Sequence, residues 1–153
     1  METKRSFEDL RVGDEMTPLV KHVTQDHINT FQHFMGHHER GEMSWLVGHN
    51  LHIDEEYSRR HMYGGNVGDG HQTISYLVQL LTSWLPAGAL MRGNSSMDIK
   101  LTNPTRPGDT ITVTGRVADK LVEDGKKFIV CEVRADNQNG KLVAIGTVKA
   151  YVK

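Results

Sequence analysis

The chain has 153 residues, with 18 Lys and Arg against 19 Asp and Glu and a formal net charge of −1. That length suits a single domain, residues 1–153, able to bury a core, and the balanced charge excludes the basic footprint of a nucleic-acid or anionic-membrane binder. No apolar stretch reaches the ~20 residues that span a bilayer, and residues 1–6 lack the apolar core of a secretory signal, so the expected location is the cytoplasm.

In chain order, Thr24 precedes a stretch from Gln25 to Met35 in which Ile28, Phe31, Phe34 and Met35 mark one face of a helix that Gly36 can stop. From His37 to Leu51 there is no consistent period, and the segment reads as a long loop, a feature that in compact domains is usually functional or mobile. Asp54 to Met62 reads as a short helix. Between Asp69 and Leu85, Ile74, Leu77, Val78, Leu80, Leu81 and Trp84 recur at helical spacing over more than one face, which predicts a buried helix with Asp69 as its N-cap.

Beyond that helix the period changes to two. Met97 to Thr102 alternates and then meets Pro104 and Pro107, which cannot donate to a ladder and end the strand. Ile111, Val113, Gly115 and Val117 mark a second strand, Phe128 to Val133 a third and Leu142 to Val152 a fourth, with Asp124-Gly125 and Asn139-Gly140 as hairpin turns. The expectation is an α+β fold in which four consecutive strands form an antiparallel meander around a helix. No internal repeat or low-complexity linker divides the chain.

All 9 histidines lie between His22 and His71, in and around the long loop. Imidazole titrates nearest neutrality, so such a concentration points to proton transfer or metal ligation. For proton transfer, His49, Asn50 and His52 precede a glycine-rich run in which Gly68 and Gly70 flank Asp69, followed by His71. Glycines allow close backbone approach, and a helix N-terminus offers free N–H groups that stabilise negative charge on a carbonyl oxygen. An imidazole and a carboxylate converging there supply the base and acid for adding or removing water next to a carbonyl; alternatively, Asp69 simply caps its helix. For a metal, His33 and His37 stand at i, i+4 beside His38 and Glu39, with His49 and His52 further on, but no tight ligand signature is present and no metal is assigned. His22, His27 and His61 read as surface or structural residues. Trp45, in an apolar patch of the loop, is a candidate lid, subunit contact or acyl-pocket residue. Cys131, the single cysteine, falls in a strand and reads as a buried, inert thiol.

These residues resemble the hot-dog-fold, MaoC-like enoyl-CoA hydratases and dehydratases. The similarity runs from Phe7–Asp14 through Val23-Thr24 and the first helix, His52–Tyr57, Gly64-Gly65 and Arg106–Val113 to the last strand. It implies an antiparallel sheet wrapped around a central helix, a dimer with its site near the subunit interface, and an acyl-thioester substrate with no bound cofactor. The family's hydratase signature, Gly-Asp-x-Asn-Pro-x-His, is altered here. His52 matches the final His and Asn50 the Asn, the Pro is absent, and the Asp position falls on His49 or on His37. Where many relatives begin the central helix with His-Gly, this chain has Asp69-Gly70. The resemblance therefore implies a lyase with His52, Asp69 and His49 as catalytic residues, and with Asn50, Gly70, His71 and Trp45 binding the substrate. Two other readings remain open: a non-catalytic acyl-binding subunit, and a hot-dog enzyme acting on a substrate that is not a CoA ester.

Overall fold

The structure, a computed structural model, describes residues 5–35 and 50–152. A five-stranded antiparallel sheet has the order β1-β3-β4-β5-β2, with β1 at Leu19–His22, β2 at Ser96–Leu101, β3 at Thr110–Glu123, β4 at Lys126–Asp136 and β5 at Leu142–Val152. Helix α1 spans Gln25–Phe34, α2 spans Glu55–Arg59, α3 spans Gly70–Trp84, and a 3₁₀ turn covers Ala89–Met91. No helix among the described residues is long and apolar enough to cross a membrane.

The three long strands follow from their composition. Ile111, Val113 and Val117 on β3, Ile129, Cys131 and Val133 on β4, and Val148 and Ala150 on β5 point to one side and are fully buried. Against them lie Leu77, Leu80, Leu81 and Trp84 of α3, all in the same cluster. Each such aliphatic side chain contributes roughly 1.5–3 kcal/mol by leaving water, which explains why this helix lies on the sheet. The β3–β4 turn places Asp124 at φ 48° and Gly125 at φ 73°, the paired positive values a tight two-residue hairpin requires.

Three expectations are corrected. First, the four C-terminal strands do not form a continuous meander: β3, β4 and β5 do, but β2 pairs with β5, from Ser96 opposite Lys149 to Leu101 opposite Ala144. The edge of β3 is already taken by β1, with Leu19 opposite Val113, and the chain after β2 is held at β5 by the Thr102 and Asn103 amides donating to the Val143 carbonyl. Residues 102–109 must therefore cross from one edge of the β3–β5 unit to the other, and on the way they pass the start of α3. Second, α3 is not buried all round; His71, Ser75, Gln79 and Thr82 are exposed and Ile74 and Val78 half-buried. Third, the buried face of α1 is Ile28 and Gln32, both 0 % exposed, whereas Phe34 is 83 % exposed. Of the face expected from sequence, Ile28 is buried and Phe31 half-buried, but Phe34 and Met35 are exposed.

Candidate active site

Each element arrives at the site with a local cap. On α1, the Thr24 hydroxyl accepts from the His27 amide. The Asp54 carboxylate accepts from the Tyr57 amide at the start of α2, and the Asp69 carboxylate from the His71 amide at the start of α3. These are ordinary N-caps. Asp69 is unusual because it is buried and because three further groups converge on it.

Its Oδ1 accepts from the His71 amide at 2.7 Å and from His71 Nδ1 at 3.0 Å. Its Oδ2 accepts from Gln32 Nε2 at 2.7 Å and faces His52 Nε2 at 3.7 Å. Burial of the Asp69 carboxyl pushes its pKa up, but the His71 amide, the Gln32 amide, the His71 ring and the charge of His52 outweigh it, and the net shift is downward. Asp69 is thus a carboxylate at neutral pH.

His52 is fixed from the other side. Its Nδ1 donates to the Val67 carbonyl at 2.8 Å, an oxygen that can only accept. In the neutral ring the lone pair is then on Nε2, the atom facing Asp69. At 3.7 Å the two are too far apart for a direct hydrogen bond, a spacing that suits a water or hydroxyl between them. The turn that carries His52 is buttressed: Gln25 Nε2 donates to the His52 carbonyl at 2.8 Å, Asn66 Nδ2 to Gln25 Oε1 at 2.9 Å, and the Ser58 hydroxyl to Asn66 Oδ1 at 2.6 Å.

Asn50 links the two halves, accepting from the His52 amide at 2.7 Å and donating to Gln32 Oε1 at 3.0 Å. Gly68 is where the crossing segment meets the site. Its amide donates to the Thr105 carbonyl at 2.8 Å, and a Cβ added there would stand 2.1 Å from Thr105 Oγ1. At Gly70 an added Cβ would stand 2.7 Å from Leu101 Cδ1. Both glycines let the N-terminus of α3 lie directly against the 101–105 segment.

Of the residues expected from sequence, His52, Asp69, His71 and Asn50 come together and Gly70 opens α3. His49 and Trp45 lie outside the described residues, as do His37, His38 and Glu39 of the metal alternative. Among the described residues no three His, Cys, Asp or Glu groups are placed to hold a metal. His22, His27 and His61 are exposed, and each makes a ring contact to its own neighbourhood, at Thr110 Oγ1, the His22 carbonyl and the Tyr57 carbonyl. Asp69 caps its helix and faces His52 at once, so the two roles weighed for it are compatible. Sequence reasoning missed Gln32 and the Val67 carbonyl. Gln32 had a signal, its i+4 spacing from the core residue Ile28; a backbone carbonyl has none.

This arrangement of sheet and helix has known counterparts. Residues 10–145 match the model of a FAS1-like dehydratase domain region. The chain belongs to the MaoC-like hot-dog hydratase and dehydratase family. Among solved structures, it is similar to a MaoC-like dehydratase from Rhodospirillum rubrum, with 27% identity, a TM-score of 0.72, and coverage of 95% of this chain and 94% of that one. It also shares its fold with an (R)-hydratase from A. caviae involved in PHA biosynthesis, at 17% identity, TM-score 0.71, and 95% and 99% coverage. A third fold match is a chain of the ChsH1-ChsH2 complex from Mycobacterium tuberculosis, at 18% identity, TM-score 0.67, and 94% and 98% coverage. No curated protein sequence matches the chain. In this MaoC-like chain the carboxylate facing His52 is the N-cap of the central helix.

Proposed function

We propose that this MaoC-like protein is a hydro-lyase that adds water to, or removes it from, the α,β double bond of an acyl thioester, with His52 and Asp69 as its working pair. The observation that carries the reading is the opposed placement of His52 Nε2 and Asp69 Oδ2, 3.7 Å apart. A water held between them donates one hydrogen to each, leaving an oxygen lone pair directed at the β-carbon.

In the hydration direction, the water oxygen forms a bond to the β-carbon while His52 Nε2 takes its proton, and the π electrons move through the α-carbon onto the thioester oxygen. The enolate then collapses, and the imidazolium returns the proton to the α-carbon. One water is consumed, and His52 ends as it began. Asp69 stabilises the transient imidazolium across the gap, and its lowered pKa makes its carboxylate a poor acceptor for the proton. The N-terminus of α3 at Gly70 supplies backbone N–H groups without intrahelical acceptors, suited to the developing oxyanion. His71, exposed on the first turn and bonded to Asp69, is the substrate-binding candidate beside the pair.

We read the assembly as a homodimer, which the family resemblance and the position of β2 at the end of the sheet support. Crotonyl-CoA and longer enoyl-CoAs, followed by loss of the enoyl absorbance, test the activity. Turnover supports the reading. Thioester binding without turnover would assign the protein to the acyl-holding role instead, and neither binding nor turnover would exclude CoA esters as its ligands.

A further inference from the structure

Gln32 is an uncharged polar residue with 0 % exposure, on the core side of α1, and its side chain reaches across to the first turn of α3. An amide's two ends are interchangeable in shape, so its direction must come from its partners. Here one unambiguous donor sets every direction. The His52 backbone N–H can only donate, so the Asn50 atom it meets is the carbonyl Oδ1. The other end of Asn50 is then the donor Nδ2, and the Gln32 atom it meets is the acceptor Oε1. Gln32 must therefore present Nε2–H to Asp69 Oδ2. The result is a directed chain from the backbone of His52 through two amides to the carboxylate that His52's own ring faces, each bond polarising the next.

From this directed chain we propose that Gln32 is the positioning residue of the acid–base pair: its amide, oriented by Asn50, holds Asp69 Oδ2 as an acceptor and so leaves His52 Nε2 as the site that takes the mobile proton. The catalytic half of this inference rests on the hydro-lyase reading; the electrostatic half does not. A proton on Oδ2 would make that oxygen a poorer acceptor for the Gln32 N–H, and Oδ1 already accepts two donors from His71. The titratable groups facing Asp69 among the described residues are His52, from the turn after Asn50, and His71, from α3. Neither can replace the Gln32 donor, because His52 is too distant and His71 is bonded to the other oxygen.

Gln32→Glu separates the two ends of the residue. The substituted side chain can still accept from Asn50, but it meets Asp69 with a carboxylate in place of a donor. The probe is the ¹³C titration of the Asp69 carboxyl in the free protein, together with kcat and KM for crotonyl-CoA. In Gln32→Glu the pair of carboxyls should share a proton and titrate at least about one pH unit above wild-type Asp69. Gln32→Met, which removes the donor without adding charge, should move the midpoint the same way by less, and it carries the test if the first variant does not fold. A midpoint unchanged in a folded variant overturns the inference. The same variants should lose at least about tenfold in kcat at neutral pH with a smaller change in KM. A full kcat in a variant whose Asp69 midpoint has moved overturns the catalytic half. A wild-type protein without hydration activity overturns the functional reading instead, and the titration then judges Gln32 by itself.

Discussion

Replacing Asp69 by Asn separates its structural role from its electrostatic one. Asn is as good an N-cap as Asp, so its Oδ1 can still accept the His71 amide now bonded at 2.7 Å. With Oδ1 kept there, the new Nδ2 faces the Gln32 donor that Oδ2 now accepts at 2.7 Å. Two donors then oppose each other in a buried site, a mismatch worth roughly 1–3 kcal/mol. For a chain of this size that corresponds to a fall in Tm of about 3–9 °C, readable by circular dichroism. The charge has its own signature. Because Asp69 is held below its ordinary value when folded, it contributes stability that is present above the unfolded pKa of about 3.9 and lost as pH falls through the lower folded value. Asp69→Asn should therefore flatten the acid end of the stability curve, and by removing the partner of the His52 imidazolium it should cut enoyl-thioester hydration by about 10²–10⁴-fold. A folded Asp69→Asn protein with wild-type turnover would refute the reasoning.

Other expected outcomes follow from burial and close approach. Gly68→Ala places a methyl 2.1 Å from Thr105 Oγ1, and the forced shift should cost about 1–3 kcal/mol; adding Thr105→Ala should recover part of the loss in thermal unfolding. Leu77→Ala, at a fully buried position between α3 and the sheet, should destabilise by about 2–5 kcal/mol, measured by urea unfolding. Burial holds the Cys131 thiol up at about 12, so alkylation under native conditions should be slow at pH 8 and complete only on denaturation; rapid native labelling would contradict its placement.

Local signals carried most of the fold. The alternation of Ile111, Val113 and Val117, the apolar recurrence from Leu77 to Trp84, and the turn at Asp124-Gly125 each act over a few residues, and each element lies where its pattern predicts. What sequence alone did not convey was pairing at a distance. Nothing within Ser96–Leu101 indicates that its partner is β5, because that choice depends on β1 already occupying the edge of β3. Leu19–His22 is too short, and its burial pattern too shallow, to announce a strand.

The site divides in the same way. His52, Asp69, Asn50 and His71 were recognisable because histidine and a glycine-flanked carboxylate are chemically conspicuous. Gln32 was not, since a neutral amide in a helix usually faces water; only its spacing from Ile28 places it inward. The family match accounts for the sheet-wrapped helix.

The central claim is that His52 carries the proton between water and the α-carbon while Asp69 holds the charge opposite. Its most direct test is the hydration of enoyl-CoA thioesters by wild type and by His52→Gln, each shown to be folded by circular dichroism. The account predicts turnover by wild type and a loss of at least about 10²-fold in His52→Gln. Wild-type turnover that persists undiminished in His52→Gln would contradict it.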